Sequence, residues 1–134
     1  MAGWTCVEEI EAYCLAVELR DAINGLTNDG RVARDYKFRD QIRDSSASAC
    51  RNLSEGFDRF HHPQFAQLAT VARGSLGETK TNLEDGRTRG YFSKEDTERL
   101  CKVAERARKA TAGLIRYLRA TPTPKDRPRR KTPI

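Results

Sequence analysis

The chain has 134 residues, of which 37% are hydrophobic, and it carries a formal net charge of +6. This length suits a single domain with one modest core, and no apolar run approaches the roughly 18 residues of a membrane span. The acidic N-terminal segment lacks the apolar region of a signal peptide, and the four cysteines stand singly. We therefore expect a cytoplasmic protein with reduced thiols.

The spacing of apolar residues predicts four helices and no strands. The expected helices are residues 7–26, 35–61, 63–88 and, after a capping box that starts at Ser93, a last helix that continues to residue 119. Because the connecting turns are short, we predict an all-α fold, an antiparallel up-down-up-down four-helix bundle. The bundle would occupy residues 1–119, and residues 120–134 would form a separate tail.

Small residues concentrate on the second and third predicted helices. The second helix carries a serine and alanine run over residues 45–49 and then Gly56, and the third carries Gly74 and Gly77 among alanines. A glycine inside a helix costs about 1 kcal/mol relative to alanine, so these glycines need a compensating contact. We predict that the two helices approach each other closely through these residues.

Two polar residues, Asn52 and Glu55, stand among the core positions of the second helix. One interpretation is partial exposure, with Glu55 paired to an arginine four positions away. The other is a buried polar network with Arg73 and Glu78 of the third helix, which would set the register between the two helices.

Basic residues form a stripe about 100° wide on the last helix. They are Arg99, Lys102, Arg106, Lys109 and Arg116. Three glutamates, Glu95, Glu98 and Glu105, stand four residues before three of them, which favours local ion pairs. The stripe is therefore either a solvated helix face or a phosphate-binding ridge. The arginines without such a partner, Arg106, Arg116 and Arg119, favour binding near the C-terminal end.

The tail, residues 120–134, concentrates the positive charge. Its five basic side chains and one acidic side chain give a net charge of +4, so the rest of the chain carries only +2. Four prolines and few apolar residues predict a disordered or polyproline-like segment. Such a tail is either an arm that holds phosphates or a solubilising extension.

Residues with catalytic or metal-binding spacing are scarce. His61 and His62 are adjacent in a predicted turn, so both cannot readily face one metal ion. The sequence contains no Glu-x-x-His pairs of a di-iron bundle and no glycine-rich phosphate loop. We expect neither an enzyme nor a bound cofactor or metal.

Two motifs resemble those of a known bacterial family. Residues 52–57 read N-L-S-E-G-F and follow F-R-D-Q-I-R at residues 38–43, and residues 72–78 read A-R-G-S-L-G-E. Together they resemble the four helix bundle protein family, first noticed as proteins encoded by intervening sequences inside bacterial 23S rRNA genes. A more distant resemblance is to the accessory variability determinant of diversity-generating retroelements. The similarity covers residues 10–119.

The resemblance implies an antiparallel four-helix bundle that assembles as a ring-like homopentamer, without known catalysis. For the retroelement relatives it implies binding of nucleic acid and of a reverse transcriptase. It also favours the structural network of Asn52, Glu55, Arg73 and Glu78.

Two functions stay open. The first is a non-enzymatic oligomeric accessory factor, of the rRNA intervening-sequence or retroelement type, that binds RNA or DNA without sequence preference. Its expected contact residues are Arg106, Arg116, Arg119, Lys125, Arg127, Arg129, Arg130 and Lys131. The second is a homo-oligomeric scaffold that binds a protein partner such as a reverse transcriptase.

Overall fold

The computed structural model describes residues 3–128, and all regular structure in this part of the chain is helical. A 3-10 turn, Val7–Glu9, precedes five helices: α1 Glu11–Leu26, α2 Gly30–Arg34, α3 Tyr36–Arg59, α4 His62–Thr88 and α5 Lys94–Ala120. The all-α class is confirmed. The short helix α2 lies where the sequence predicted only a turn. None of the described helices combines the length and the hydropathy needed to cross a bilayer.

Local signals in the sequence account for the helix ends. The side chain of Ser93 accepts a hydrogen bond from the backbone N–H of Asp96, as predicted for the start of α5. The side chain of Asp35 accepts one from Phe38 in the same way at the start of α3. At its other end α3 stops at Phe60, which adopts the left-handed conformation with φ of 65°.

The four long helices pack side by side, with α1 and α4 each lying against both α3 and α5. Along the α3–α4 seam, the hydroxyl of Ser48 lies 2.9 Å from that of Ser75, and the hydroxyl of Thr79 lies 2.8 Å from that of Ser45. Residue numbers thus fall along α3 as they rise along α4, so these two helices are antiparallel. Because Ser45 and Thr79 are buried, their hydrogen bond also satisfies polar groups that would otherwise destabilise the core.

Of the glycines that the sequence placed at tight contacts, Gly56 lies at one and Gly74 does not, and Gly86 lies at one that the sequence did not predict. A Cβ atom on Gly74 would meet nothing within 4 Å, and Gly74 is exposed; its predicted place in the seam is wrong. Ala72 and Leu76, each two residues away and therefore about 200° around the helix, occupy the buried face instead. A Cβ on Gly56 or Gly86 would lie 2.5 Å and 2.4 Å, respectively, from a phenylalanine ring, so close approach occurs between backbone and aromatic side chains.

A polar contact joins the start of α3 to the turn between α4 and α5. The hydroxyl of Tyr91 donates to the carboxylate of Asp35 at 2.6 Å, and Arg89 pairs with the same carboxylate at 3.5 Å. The hydrogen bond from Tyr91, followed by that from the backbone of Phe38, lowers the pKa of Asp35 below its ordinary value. This contact joins the start of α3 to the turn that follows α4, at one end of the antiparallel pair.

Candidate nucleic-acid interface

The basic stripe lies on the outer side of α5. The apolar face of this helix is buried, and its last turns contribute Leu114 and Leu118 to the core. The basic side chains on the opposite side are exposed: Lys102, Arg106, Lys109, Arg116 and Arg119. The periodicity of α5 therefore places these charges in solvent, as the sequence predicted.

The sequence predicts an ion pair between Glu105 and Lys109, but Glu105 has other partners in the structure. Its carboxylate lies 3.1 Å from the guanidinium of Arg108 and 3.6 Å from the ammonium of Lys80 on α4. Partial burial acts to raise the pKa of Glu105, but the charges of Arg108 and Lys80 outweigh it and lower this pKa below its ordinary value. Glu105 thus pairs with Arg108 of its own helix and Lys80 of α4, and it neutralises none of the basic residues of the stripe.

The other two predicted pairs, Glu95 with Arg99 and Glu98 with Lys102, are also replaced. Glu98 lies 4.0 Å from Lys94, and Arg99 pairs with Asp96 at 3.2 Å. The consequence concerns the rest of the stripe. Within residues 3–128, the side chains of Lys102, Arg106, Lys109, Arg116 and Arg119 make no ion pair. The local salt bridging that would explain a merely solvated face is therefore absent for most of the stripe.

The first part of the tail lies against the body, whereas its composition predicted a disordered or polyproline-like segment. Arg127 donates hydrogen bonds to the backbone carbonyls of Asp58 at 2.7 Å and Phe57 at 3.5 Å. Its guanidinium also lies 4.8 Å from the ring centre of Phe60. A cation that binds the carbonyls at the end of a helix is stabilised by the helix dipole, so Arg127 caps α3, where the carbonyl of Phe57 also accepts from the backbone N–H of Phe60.

A buried histidine anchors the same part of the tail. His62 is only 6% exposed; its Nδ1 lies 2.7 Å from the carbonyl oxygen of Thr121, and its backbone N–H donates to the hydroxyl of Thr123 at 2.9 Å. The adjacent His61 is exposed. The histidine pair is thus divided between a structural role and a surface position.

The remaining predicted tail contacts fall into two groups. Lys125 is exposed and makes no ion pair among the described residues. Arg129, Arg130 and Lys131 lie outside the described residues.

The structure does not bring the four residues of the expected polar network together. The side-chain amide of Asn52 donates to the backbone carbonyl of Ser48 at 2.8 Å. Glu55 is exposed and pairs with Arg59 at 2.8 Å, which is the alternative that the sequence left open. Arg73 and Glu78 are also exposed. The polar contacts between α3 and α4 come instead from the hydroxyls of the seam. The run of small residues predicted a close approach of the two helices there, but not these hydrogen bonds.

No group of three or more His, Cys, Asp or Glu side chains within residues 3–128 could hold a metal ion. Among the cysteines, Cys50 is buried, and this burial raises the pKa of its thiol. The thiol of Cys50 is therefore a packing group.

A protein-family model described as 23S rRNA-intervening sequence protein matches residues 8–113 of the chain. The match begins in the 3-10 turn and extends into α5, so it covers most of the helical body. It ends before Arg116, Arg119 and the tail. No curated protein matches the chain.

Proposed function

We propose, since the chain belongs to the 23S rRNA-intervening sequence protein family, that it is a non-enzymatic accessory protein that binds the backbone of RNA or DNA. The contact surface would be the basic stripe of α5 together with the basic tail. The observation that carries the proposal is the stripe itself, a row of exposed basic side chains of which only Arg99 makes an ion pair in the described part of the chain.

The dimensions of the stripe suit a phosphate backbone. Lys102 and Arg116 are fourteen residues apart on one helix, which corresponds to about 21 Å at 1.5 Å per residue. Phosphates of one strand of B-form DNA follow each other at about 3.4 Å along the axis. The stripe is therefore long enough to face several phosphates at once.

Sequence readout is not expected from this surface. Sequence-specific recognition of single-stranded RNA combines hydrogen bonds to base edges with stacking of the bases on aromatic rings, and the stripe contains no aromatic residue. The nearest aromatic residue, Tyr117, is half-buried, with its ring centre 5.3 Å from that of Trp4. Contacts to phosphates alone position a protein without reading sequence.

The proposal includes an oligomer. We infer an up-down-up-down four-helix bundle that assembles as a ring-like homopentamer, supported by the family resemblance and by the antiparallel contacts between α3 and α4. A ring would present the stripe and the tail five times. Linked weak contacts can gain about 10²–10⁴ in avidity, which would make a weak single-subunit contact useful in an rRNA intervening-sequence or retroelement-type role.

The test is the salt dependence of binding to a labelled single-stranded RNA, measured by fluorescence anisotropy. Arg106→Gln should weaken binding and reduce the slope of log K against log salt by about 0.7, the value for one lost contact to a single strand. Arg51→Gln is the matched control: it removes the same charge from an exposed arginine on α3 that already pairs with Asp44 at 3.2 Å. The control should bind as the unchanged protein does.

Two results would reject nucleic-acid binding by the stripe. One is the absence of binding at about 50 mM salt, where phosphate contacts are strong. The other is an equal effect of both substitutions, which would indicate a response to net charge alone. A scaffold for a protein partner such as a reverse transcriptase would then take its place.

A further inference from the structure

The end of α3 competes with phosphate for Arg127 of the tail. The α3–α4 corner, residues 57–62, ends α3, and Arg127 donates to the backbone carbonyls of Phe57 and Asp58 there. The carboxyl end of a helix carries partial negative charge. It attracts a guanidinium and repels a phosphate, so Arg127 cannot bind phosphate well while it stays at this end of α3.

Aromatic packing strengthens this docking. The guanidinium of Arg127 lies 4.8 Å from the ring centre of Phe60 and 5.5 Å from that of Phe57. Pro124 of the tail lines the same small apolar cavity as these two rings and Trp4. Residues 121–128 therefore close over the corner through two cation–π contacts, the hydrogen bonds of Arg127 and His62 and an apolar contact.

The backbone of Phe60 contributes to the geometry. Its φ of 65° makes it the one non-glycine residue with positive φ among residues 3–128, a conformation that a bulky residue rarely adopts. This conformation places the ring beneath Arg127. Glycine adopts the same backbone conformation without cost, so the ring can be removed while the turn is kept.

We propose that docking of residues 121–128 on the α3–α4 corner and binding of phosphate by the tail exclude each other, so that nucleic acid releases the tail from the corner. The inference rests on the proposed function and adds regulation to it. Only molecules with an undocked tail bind with the full set of basic residues. The apparent dissociation constant is then the intrinsic constant divided by the fraction of molecules whose tail is undocked.

The single tryptophan of the chain reports on the docked state. Trp4 lines the cavity that Pro124 closes, and Gly3 lies beside Pro128. Titration of the full chain with a single-stranded oligouridylate should shift the Trp4 emission to longer wavelength and increase its quenching by acrylamide. Inorganic polyphosphate should produce the same change, and since it has no bases, direct quenching by a base cannot cause it.

Phe60→Gly tests the exclusion at constant charge. Without the ring, the tail should undock more readily. Affinity is the readout for this variant, because Phe60 itself lines the cavity beside Trp4 and its removal alone alters the emission. Affinity for the oligouridylate should then rise about two- to fivefold, the factor that one exposed cation–π contact supplies. Tyr36→Ala is the control, because it removes a ring 4.9 Å from another guanidinium, that of Arg39, near the opposite end of α3. It should change neither emission nor affinity.

The outcomes separate this inference from the proposed function. RNA binding with an unchanged Trp4 emission, together with wild-type affinity of Phe60→Gly, would overturn the competition while leaving nucleic-acid binding in place. A rise in affinity of equal size in Tyr36→Ala would also overturn it. Absence of RNA binding by every variant at low salt would instead overturn the proposed function, and the inference with it. Circular dichroism of each variant checks that the helices are retained.

Discussion

Gly86→Ala should destabilise the protein, although alanine is the better helix former. A Cβ atom at Gly86 would lie 2.4 Å and 2.5 Å from atoms of the Phe92 ring and 2.9 Å from the tip of Phe38. Both rings are buried, at 6% and 3% exposure, and pack on each other with centres 6.0 Å apart. Neither ring can therefore move away without displacing the other.

The magnitude follows from two opposing effects. Replacing an interior helical glycine by alanine gains up to about 1 kcal/mol, and overpacking a filled core costs about 1–3 kcal/mol. Gly74→Ala gives the first effect alone, because a Cβ there meets nothing within 4 Å on the same helix. The free energy of unfolding of Gly86→Ala should thus lie about 1–3 kcal/mol below that of Gly74→Ala, or roughly 3–10 °C in Tm for a chain of this size.

Urea denaturation followed by far-ultraviolet circular dichroism measures this difference. It should be repeated at several protein concentrations, because an oligomer's apparent stability depends on concentration. Equal stability of the two variants would refute the packing argument at Gly86. A Gly74→Ala variant that loses stability only at high protein concentration would show that residue 74 faces another subunit.

Two further predictions concern the acid range and the tail. Tyr91→Phe removes the hydrogen bond that lowers the pKa of Asp35; the stability advantage of the unchanged protein should be present above about pH 4, the ordinary pKa of the carboxyl, and disappear as pH falls through the lowered folded-state value. Urea midpoints across this range test it, and a constant difference down to the lowest pH would contradict it. Ending the chain after Arg119 should lower RNA affinity and the salt slope while circular dichroism stays helical; identical binding would remove the tail from the interface.

The helices themselves could be predicted from the sequence because their signals are local. The apolar spacing in α5 placed Leu114 and Leu118 inside, and Ser93 marked its start. The same period placed Arg106 and Arg116 in solvent. Helical periodicity and capping depend on residues within a few positions of one another. Both can therefore be predicted from a single amino-acid sequence. The short helix α2 was missed because a five-residue helix is too short to show a period.

Contacts between helices could not be read in the same way. Periodicity shows which side of a helix is apolar, but it does not show which neighbouring atom fills the space beside a glycine. Gly56, which the sequence selected, is tight against Phe65, but so is Gly86 against Phe92, which the sequence did not predict, and Gly74 is open. Likewise, Glu105 had a suitable base four residues ahead, yet Lys80 of α4 and Arg108 hold its carboxylate.

The tail shows the same limit most clearly. Its prolines and charges, read alone, predict disorder, because composition says only that the segment cannot form a core of its own. Docking depends on partners about sixty or seventy residues away, the carbonyls at the end of α3 and the buried ring of His62. The sequence by itself determined the helices, their inward faces and the exposed charges of α5, since those follow from near neighbours along the chain. Only the tertiary structure decided that Gly86 is tight and Gly74 open, which acids pair with which bases and where Arg127 binds, because those contacts join residues that folding alone brings together.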